Sequence, residues 1–272
     1  MERFFPELLQ RLLEDAALDG AMEEKLVPYQ AQVCIAATSV LVLAPHPDDE
    51  IFGCGGTLVA HARAGHRIRV IVLTDGAYGL QGDARAATTA MRQSESRAAA
   101  ELLGIPAPQF WVLPDRGLIS GPALTQRLVQ AIDESQADLV YATSPREMHP
   151  DHWHLAMAAL DAVKQFARPG LRLASYEVGI PLAPNVLCDI TAHHSLKLAA
   201  MRCFVSQLQQ QRYEEHIQAL NRYRSFTLGV GVTHAEAFYV AESLALANGT
   251  ADPYESPDQR NHRLGTLYRS AG

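Results

Sequence analysis

A single α/β domain, built on a Rossmann-like, mostly parallel sheet with helices on both faces, is the fold class this sequence predicts, and three observations carry it. The chain has 272 residues and is 48% hydrophobic, enough for one large core. From about residue 38 onward, short apolar and β-branched runs alternate with longer segments of helical period, as in a parallel sheet covered by helices. Two groups of histidines and carboxylates each close such a run, so both fall at the carboxyl edge of the sheet, where open α/β folds place their ligand crevice.

Taken in order, Phe4, Phe5, Leu8, Leu9, Leu12, Leu13, Ala16 and Ala17 recur with a period close to four and predict an amphipathic helix. Its polar face is mostly acidic, whereas a membrane-surface helix would carry Lys and Arg. It is expected to pack on the domain or on a sister subunit, which leaves a homo-oligomer open. Residues 1–37 are therefore set apart as a helical extension. Strands are expected at 40–44, 68–74, 109–113 and 138–143, separated by helices near 52–64, 86–103 and 121–135. Further strands are expected at 171–178 and 186–190, then one or two long helices over 195–225 and a short last strand at 238–240. This assigns 38–248 to the domain and 249–272 to a tail, with Pro253 and Pro257, that is loosely ordered or draped over the surface.

Composition excludes some functions. With 30 Asp and Glu against 23 Lys and Arg, the net charge of -7 argues against nucleic acid as a partner. The N-terminus lacks the basic start and unbroken apolar stretch of an export signal, and no apolar run is long enough to span a bilayer, so a soluble, cytoplasmic protein is expected. Cys34, Cys54, Cys188 and Cys203 are scattered without CxxC spacing, which suggests neither a disulfide framework nor a structural zinc knuckle.

The chemistry lies in His46-Pro47-Asp48-Asp49-Glu50 and His149-Pro150-Asp151-His152. Either alone reads as a polar loop or helix cap. Two at strand ends read as one metal site. His46, Asp49 and His152 supply two imidazoles and a carboxylate, a three-ligand set that leaves one coordination position open for water. Zn2+ suits this mixture of nitrogen and oxygen, and Fe2+, Co2+ and Mn2+ accept the same donors. Such a metal activates water and polarises a carbonyl, as amide hydrolysis requires. Asp48, between two ligands, is the candidate general base. A protonated His149 would stabilise the oxyanion and deliver a proton to the leaving amine, with Asp151 holding its other ring nitrogen and raising its pKa.

Other polar residues receive quieter roles. Glu50 is expected to favour the start of a helix, and the small residues around Cys54 to let that helix approach the sheet. His154 is expected at the surface, and His193 and His194 in solvent. Gly53-Cys54-Gly55-Gly56 lacks the GxGxxG spacing of dinucleotide binding.

The run Ala44-x-His46-Pro47-Asp48-Asp49-Glu50-x-x-Gly53-Cys54-Gly55-Gly56-Thr57-Leu58, paired with His149-Pro150-Asp151-His152, resembles the PIG-L or LmbE-like family of metal-dependent N-deacetylases. Similarity continues through Arg92-Gln93-Ser94-Glu95, Leu103-Gly104, Pro114-Asp115 and Ala235-Glu236-Ala237-Phe238, roughly residues 38–240. The resemblance implies zinc on His46, Asp49 and His152, Asp48 as base, and His149 as acid or oxyanion partner oriented by Asp151. It also implies sugar contacts from Arg92 and Asp115, and removal of acetyl from an N-acetylglucosamine conjugate with release of acetate. His234 stands where an aromatic residue is expected, and Phe204-Val205 where the family tends to a histidine before Ser-Gln. Both departures bear on the substrate rather than the reaction.

Three alternatives stay open: an amidase of another sugar or thiol conjugate, a phosphoesterase, and a catalytically silent sugar-binding protein. A two-metal phosphoesterase needs further bridging ligands, and no other such group closes a predicted strand. A silent binder needs no general base.

Overall fold

The computed structural model describes residues 28–254. The N-terminal amphipathic helix and most of the tail expected from the sequence lie outside the described residues. The described chain forms one seven-stranded sheet in the order β3-β2-β1-β4-β5-β7-β6. Strands β1 (Ser39–Ala44), β2 (Arg67–Thr74), β3 (Gln109–Leu113), β4 (Leu139–Thr143) and β5 (Arg172–Tyr176) are mutually parallel. Strand β7 (Ala235–Glu242) runs antiparallel between β5 and β6 (Val186–Asp189).

Strand β1 shows why the sheet is covered on both sides. All six of its residues are buried, and side chains alternate between faces. Val40 and Val42 join one core with Ile51, Phe52 and Leu58 of α1 (Asp49–Arg63), Ala99 and Leu103 of α2 (Gly82–Leu103), and Met201 of α5 (His194–Met201). Leu41 and Leu43 join the other, with Leu128 and Ile132 of α3 (Pro122–Ser135), Leu155 and Val163 of α4 (Pro150–Phe166), and Leu246 of α8 (Ser243–Ala247).

Two expectations are corrected. In place of one or two long helices over 195–225, the chain forms α5, the short α6 (Val205–Leu208) and α7 (Tyr213–Tyr223). Phe204 and Arg212 interrupt it with non-helical backbone, and Phe204 is drawn fully into the core, its ring 5.6 Å from that of Phe52. The last strand spans eight residues rather than three, because pairing with β6 holds Ala235, Glu236 and Ala237 in a ladder that their intrinsic preferences do not favour, and pairing with β5 carries the strand on from Phe238 to Glu242. Among the described residues, no helix is long and apolar enough to cross a membrane.

Candidate metal centre

In the sheet order β1 and β4 are neighbours, although β2 and β3 intervene in sequence. Winding proceeds outward from β1 to β3 and then restarts on the other side of β1, so the crevice between the carboxyl ends of β1 and β4 is the topological switch point. The loop after β1 carries His46, and the start of α1 carries Asp48 and Asp49. His149 precedes α4, and Asp151 and His152 lie in its first turn. Pro45 O accepts both the amide and the hydroxyl of Thr74, at 2.9 and 2.8 Å, which ties the β1 loop to the end of β2.

Three donor atoms meet in this crevice. Asp49 Oδ2 is 3.1 Å from His46 Nδ1 and 3.2 Å from His152 Nε2, and the two imidazole nitrogens are 3.3 Å apart. Ligands about 2.1 Å from a tetrahedral ion are separated by roughly 3.4 Å. The triangle is therefore already close to that of a three-ligand face. A looser group is formed by His46, His149 and His152, whose ligand atoms lie within 4.8 Å of one another. The tighter, mixed triangle fits a divalent cation better, since it adds a carboxylate to two nitrogens.

Electrostatics favour positive charge at the same point. Burial alone would lower the His46 pKa, but Asp115, Asp151 and Asp49 outweigh it and raise the pKa well above the ordinary imidazole value. Burial also works against Asp49, yet His152 and His46 hold its carboxyl far below the usual range. His152 Nδ1 is buried without a hydrogen-bond partner and faces Glu147 Oε2 at 3.8 Å. The donor set and its surroundings fit a divalent metal held by His46, Asp49 and His152.

Asp48 stands beside this triangle. Burial pushes its carboxyl up to about 7, against the pull of the Arg92 guanidinium. Arg92 Nη2 donates to Asp48 Oδ2 at 2.9 Å and to Pro47 O at 3.0 Å, while Nη1 donates to Gly76 O at 2.8 Å. Arg92 is only 5% exposed. It is therefore not an exposed helix cation: both its terminal nitrogens bond to the protein, and Nε has no hydrogen-bond partner. Glu50 is fully buried, accepting from Ser96 Oγ at 2.7 Å and from the Asp48 amide at 3.1 Å. Beyond opening α1, it braces Asp48.

The expected pairing of Asp151 with His149 is corrected. Asp151 Oδ2 accepts from Arg116 N at 2.7 Å and lies 3.2 Å from His46 Nε2, and Oδ1 accepts from Leu118 N at 3.1 Å. Its carboxylate thus faces the loop after β3 and orients His46. His149 instead caps α4, its Nδ1 accepting from the Asp151 amide at 3.2 Å. Burial first, then His46 and His152, bring its pKa down to about 4 rather than up. Its ring still stands edge-on to His46 with centroids 4.5 Å apart, so it borders the crevice. Asp115 lies there too, Oδ1 3.3 Å from His46 Nε2 and Oδ2 accepting from the Tyr78 amide at 3.3 Å.

The quieter residues divide. A Cβ on Gly53 would meet the Tyr176 ring at 2.3 Å and one on Gly56 would meet Ile190 at 2.6 Å, so small residues do let α1 approach its neighbours. His154 is half-buried, with Nδ1 accepting from Ser120 N at 3.1 Å. His193 is buried, and His194 stacks on His234 with ring centroids 3.5 Å apart, so neither is simply solvated. Sequence reasoning passed over Glu147 and Asp75. Glu147 accepts from the amides of Val178, Gly179 and Ile180 behind His152. Asp75 accepts from the Asp115 amide at 3.2 Å, pairs with Arg85, and lines a cavity of about 450 Å³ with Ala86, Thr89, Gln93 and Val112. The visible signal for both was a carboxylate just beyond a strand.

Residues 41–163 match the model of the family described as PIG-L, GlcNAc-PI de-N-acetylase. A diacetylchitobiose deacetylase of Thermococcus kodakarensis is 27% identical over 192 residues, 64% of this chain and 72% of that protein. A probable N-acetyl-alpha-D-glucosaminyl L-malate deacetylase 2 of Bacillus anthracis is 28% identical over 185 residues, 62% of this chain and 80% of its own length. Among solved structures, a conserved protein of Thermus thermophilus superposes with a TM-score of 0.65 at 30% identity, covering 74% of this chain and 94% of that one.

Proposed function

The chain belongs to the PIG-L family, and from that premise we propose that it is a metal-dependent hydrolase that removes the N-acetyl group from an N-acetylglucosamine-type sugar conjugate and releases acetate. The observation that carries this reading is the 3.1–3.3 Å triangle of His46, Asp49 and His152 with the buried carboxylate of Asp48 beside it. Zn2+ is the metal we assign to these residues, with Fe2+, Co2+ and Mn2+ as competitors for the same donors. Such an ion supplies Lewis acidity and lowers the pKa of water near it.

The chain's own residues supply the rest. With its carboxyl pushed up to about 7, Asp48 is matched to accept a proton from the attacking water near neutral pH. Arg92 holds that carboxylate in place. His149 borders the crevice as the oxyanion partner, donating from Nε2 as a neutral ring whose Nδ1 accepts from the Asp151 amide, with the Asp151 carboxylate acting on His46. Asp115 remains a sugar contact in this reading, and the cavity beside Asp75 receives the group attached to the sugar. Activity is assigned to the domain of residues 38–248, acting on a soluble small molecule in the cytoplasm.

Acetate release from a panel of N-acetylglucosamine conjugates, with metal-replete enzyme and Asp48→Asn as control, tests the proposal. Release that needs both metal and Asp48 is expected; sugar binding without turnover across the panel would overturn it.

A further inference from the structure

Three further side chains with metal-ligating atoms meet at the other end of α1, outside the site above. Cys34 Sγ and one ring nitrogen each of His61 and His66 lie within 4.8 Å of one another. Backbone geometry explains the meeting. Helix α1 ends at Arg63, Gly65 takes a positive φ of 76°, and the His66 amide donates to His61 O at 3.1 Å. This six-to-one bond is the Schellman stop, which brings the side chains of these two positions together. Where that contact is ordinarily apolar, it here joins two imidazoles, with Nδ1 to Nδ1 at 2.7 Å. Cys34 is delivered by the segment before β1, which Gln32 fastens alongside β6 through bonds of 2.9 and 2.8 Å to Leu187 O and Asp189 N.

We propose that Cys34, His61 and His66 form a second metal site, which takes one divalent cation of the zinc class and clamps the segment before β1 to the turn between α1 and β2. A thiolate and two imidazoles are the donors such an ion prefers. His61 is fully buried, and its Nε2 lies 2.8 Å from the Tyr141 hydroxyl. With Nε2–H donating to that hydroxyl, the Nδ1 lone pair points at His66, the outer hydrogen bond that metal-bound histidines use to fix their tautomer. Burial first, then His66, brings the His61 pKa down to about 4, so the ring is neutral and able to ligate. Asp138 and Arg172 also act on His61 with opposite signs, and burial raises the pKa of the Cys34 thiol, so its negative charge arises only as the proton leaves on binding.

Binding is balanced by protons. The Cys34 thiol loses its proton to solvent, and the proton between the two Nδ1 atoms moves by way of water to His66 Nε2. The nitrogens separate from 2.7 Å to roughly 3.3 Å, and the sulfur closes to about 3.6 Å from each. Cys34 and His66 are partly exposed, so water can fill the fourth position.

The test counts metal in the full-length protein, stripped and reloaded with Zn2+ or Co2+. Two ions per chain are expected in the unmodified protein, one in Cys34→Ser or His66→Ala, and one in His152→Ala. The Co2+ forms of the unmodified protein and of His152→Ala should show a thiolate-to-cobalt charge-transfer band that Cys34→Ser lacks, since the first site offers only nitrogen and oxygen. Cys34→Ser, outside the catalytic crevice, should keep its acetate release. One ion per chain, untouched by Cys34→Ser, or no thiolate band would overturn the second site. Loss of the ion that survives Cys34→Ser on mutating His152 reports separately on the first site.

Discussion

Asp48 is held with φ 144° and ψ -33°, a backbone region that L residues rarely adopt and that costs about 1–3 kcal/mol. Its surroundings fix it there: Arg92 on its carboxylate and on Pro47 O, Glu50 on its amide, and the amides of Ile51 and Phe52 on its carbonyl. A carboxylate so fixed projects beside the His46, Asp49 and His152 triangle. Asp48→Asn keeps the shape and removes the base, so turnover should fall by about 10²–10⁴-fold, with metal content and KM little changed in steady-state kinetics. Arg92→Met should act through Asp48. The guanidinium lowers the Asp48 pKa, and the active form is the carboxylate, so removing Arg92 raises that pKa and moves the acid limb of the kcat/KM profile to higher pH. An unmoved acid limb would dissociate Arg92 from the base. The meeting of His46, Asp49 and His152 was legible in sequence because they flank two strand ends. The partner of Asp151 was not, because it depends on how the loop bearing Arg116 and Leu118 folds back over α4, which no local pattern encodes.

Helix α1 carries Asp49 and follows Asp48, so its shape sets the site. It is kinked at Cys54, whose φ of -138° is not helical. Where an unbroken helix would bond the Gly56 amide to Phe52 O, two buried side chains take over. Glu236 accepts from the Gly56 and Thr57 amides at 2.8 Å each, and Lys197 Nζ donates to Phe52 O at 2.8 Å and to Glu236 at 2.7 Å. This explains Glu236 in β7, which motif similarity alone left without a job. Lys197→Met leaves a fully buried carboxylate unpaired and should destabilise by about 3–5 kcal/mol in urea unfolding. Gly56→Ala would drive a methyl to 2.6 Å from Ile190 and should cost about 1–3 kcal/mol in the same measurement. Strands β1 and β4 were readable because their apolar runs are continuous and buried on both faces. The short α6 and the long β7 were not, because a buried Phe204 decides the one and successive pairing with β6 and then β5 decides the other.

At the scale of the whole molecule, the crevice joins the two directions in which the sheet is wound: β1 leads outward to β2 and β3, and β4 leads outward to β5 and the antiparallel pair. His46 and Asp49 belong to the first half and His152 to the second. An ion held by all three would be a crosslink across the switch point and would offset the negative charge of Asp49, Asp115 and Asp151. Ligand that binds only the folded state adds about 2.7 kcal/mol at a hundredfold excess over Kd. For a domain of this size that is a rise in Tm of about 5–10 °C. In a Cys34→Ser background, which isolates the first site, chelation should therefore lower Tm by about that amount and abolish acetate release. Adding His152→Ala should shrink the gap between chelated and metal-replete melting to near zero. A gap that survives His152→Ala would mean that the stabilising ion sits elsewhere, and the crosslink across β1 and β4 would have to be abandoned.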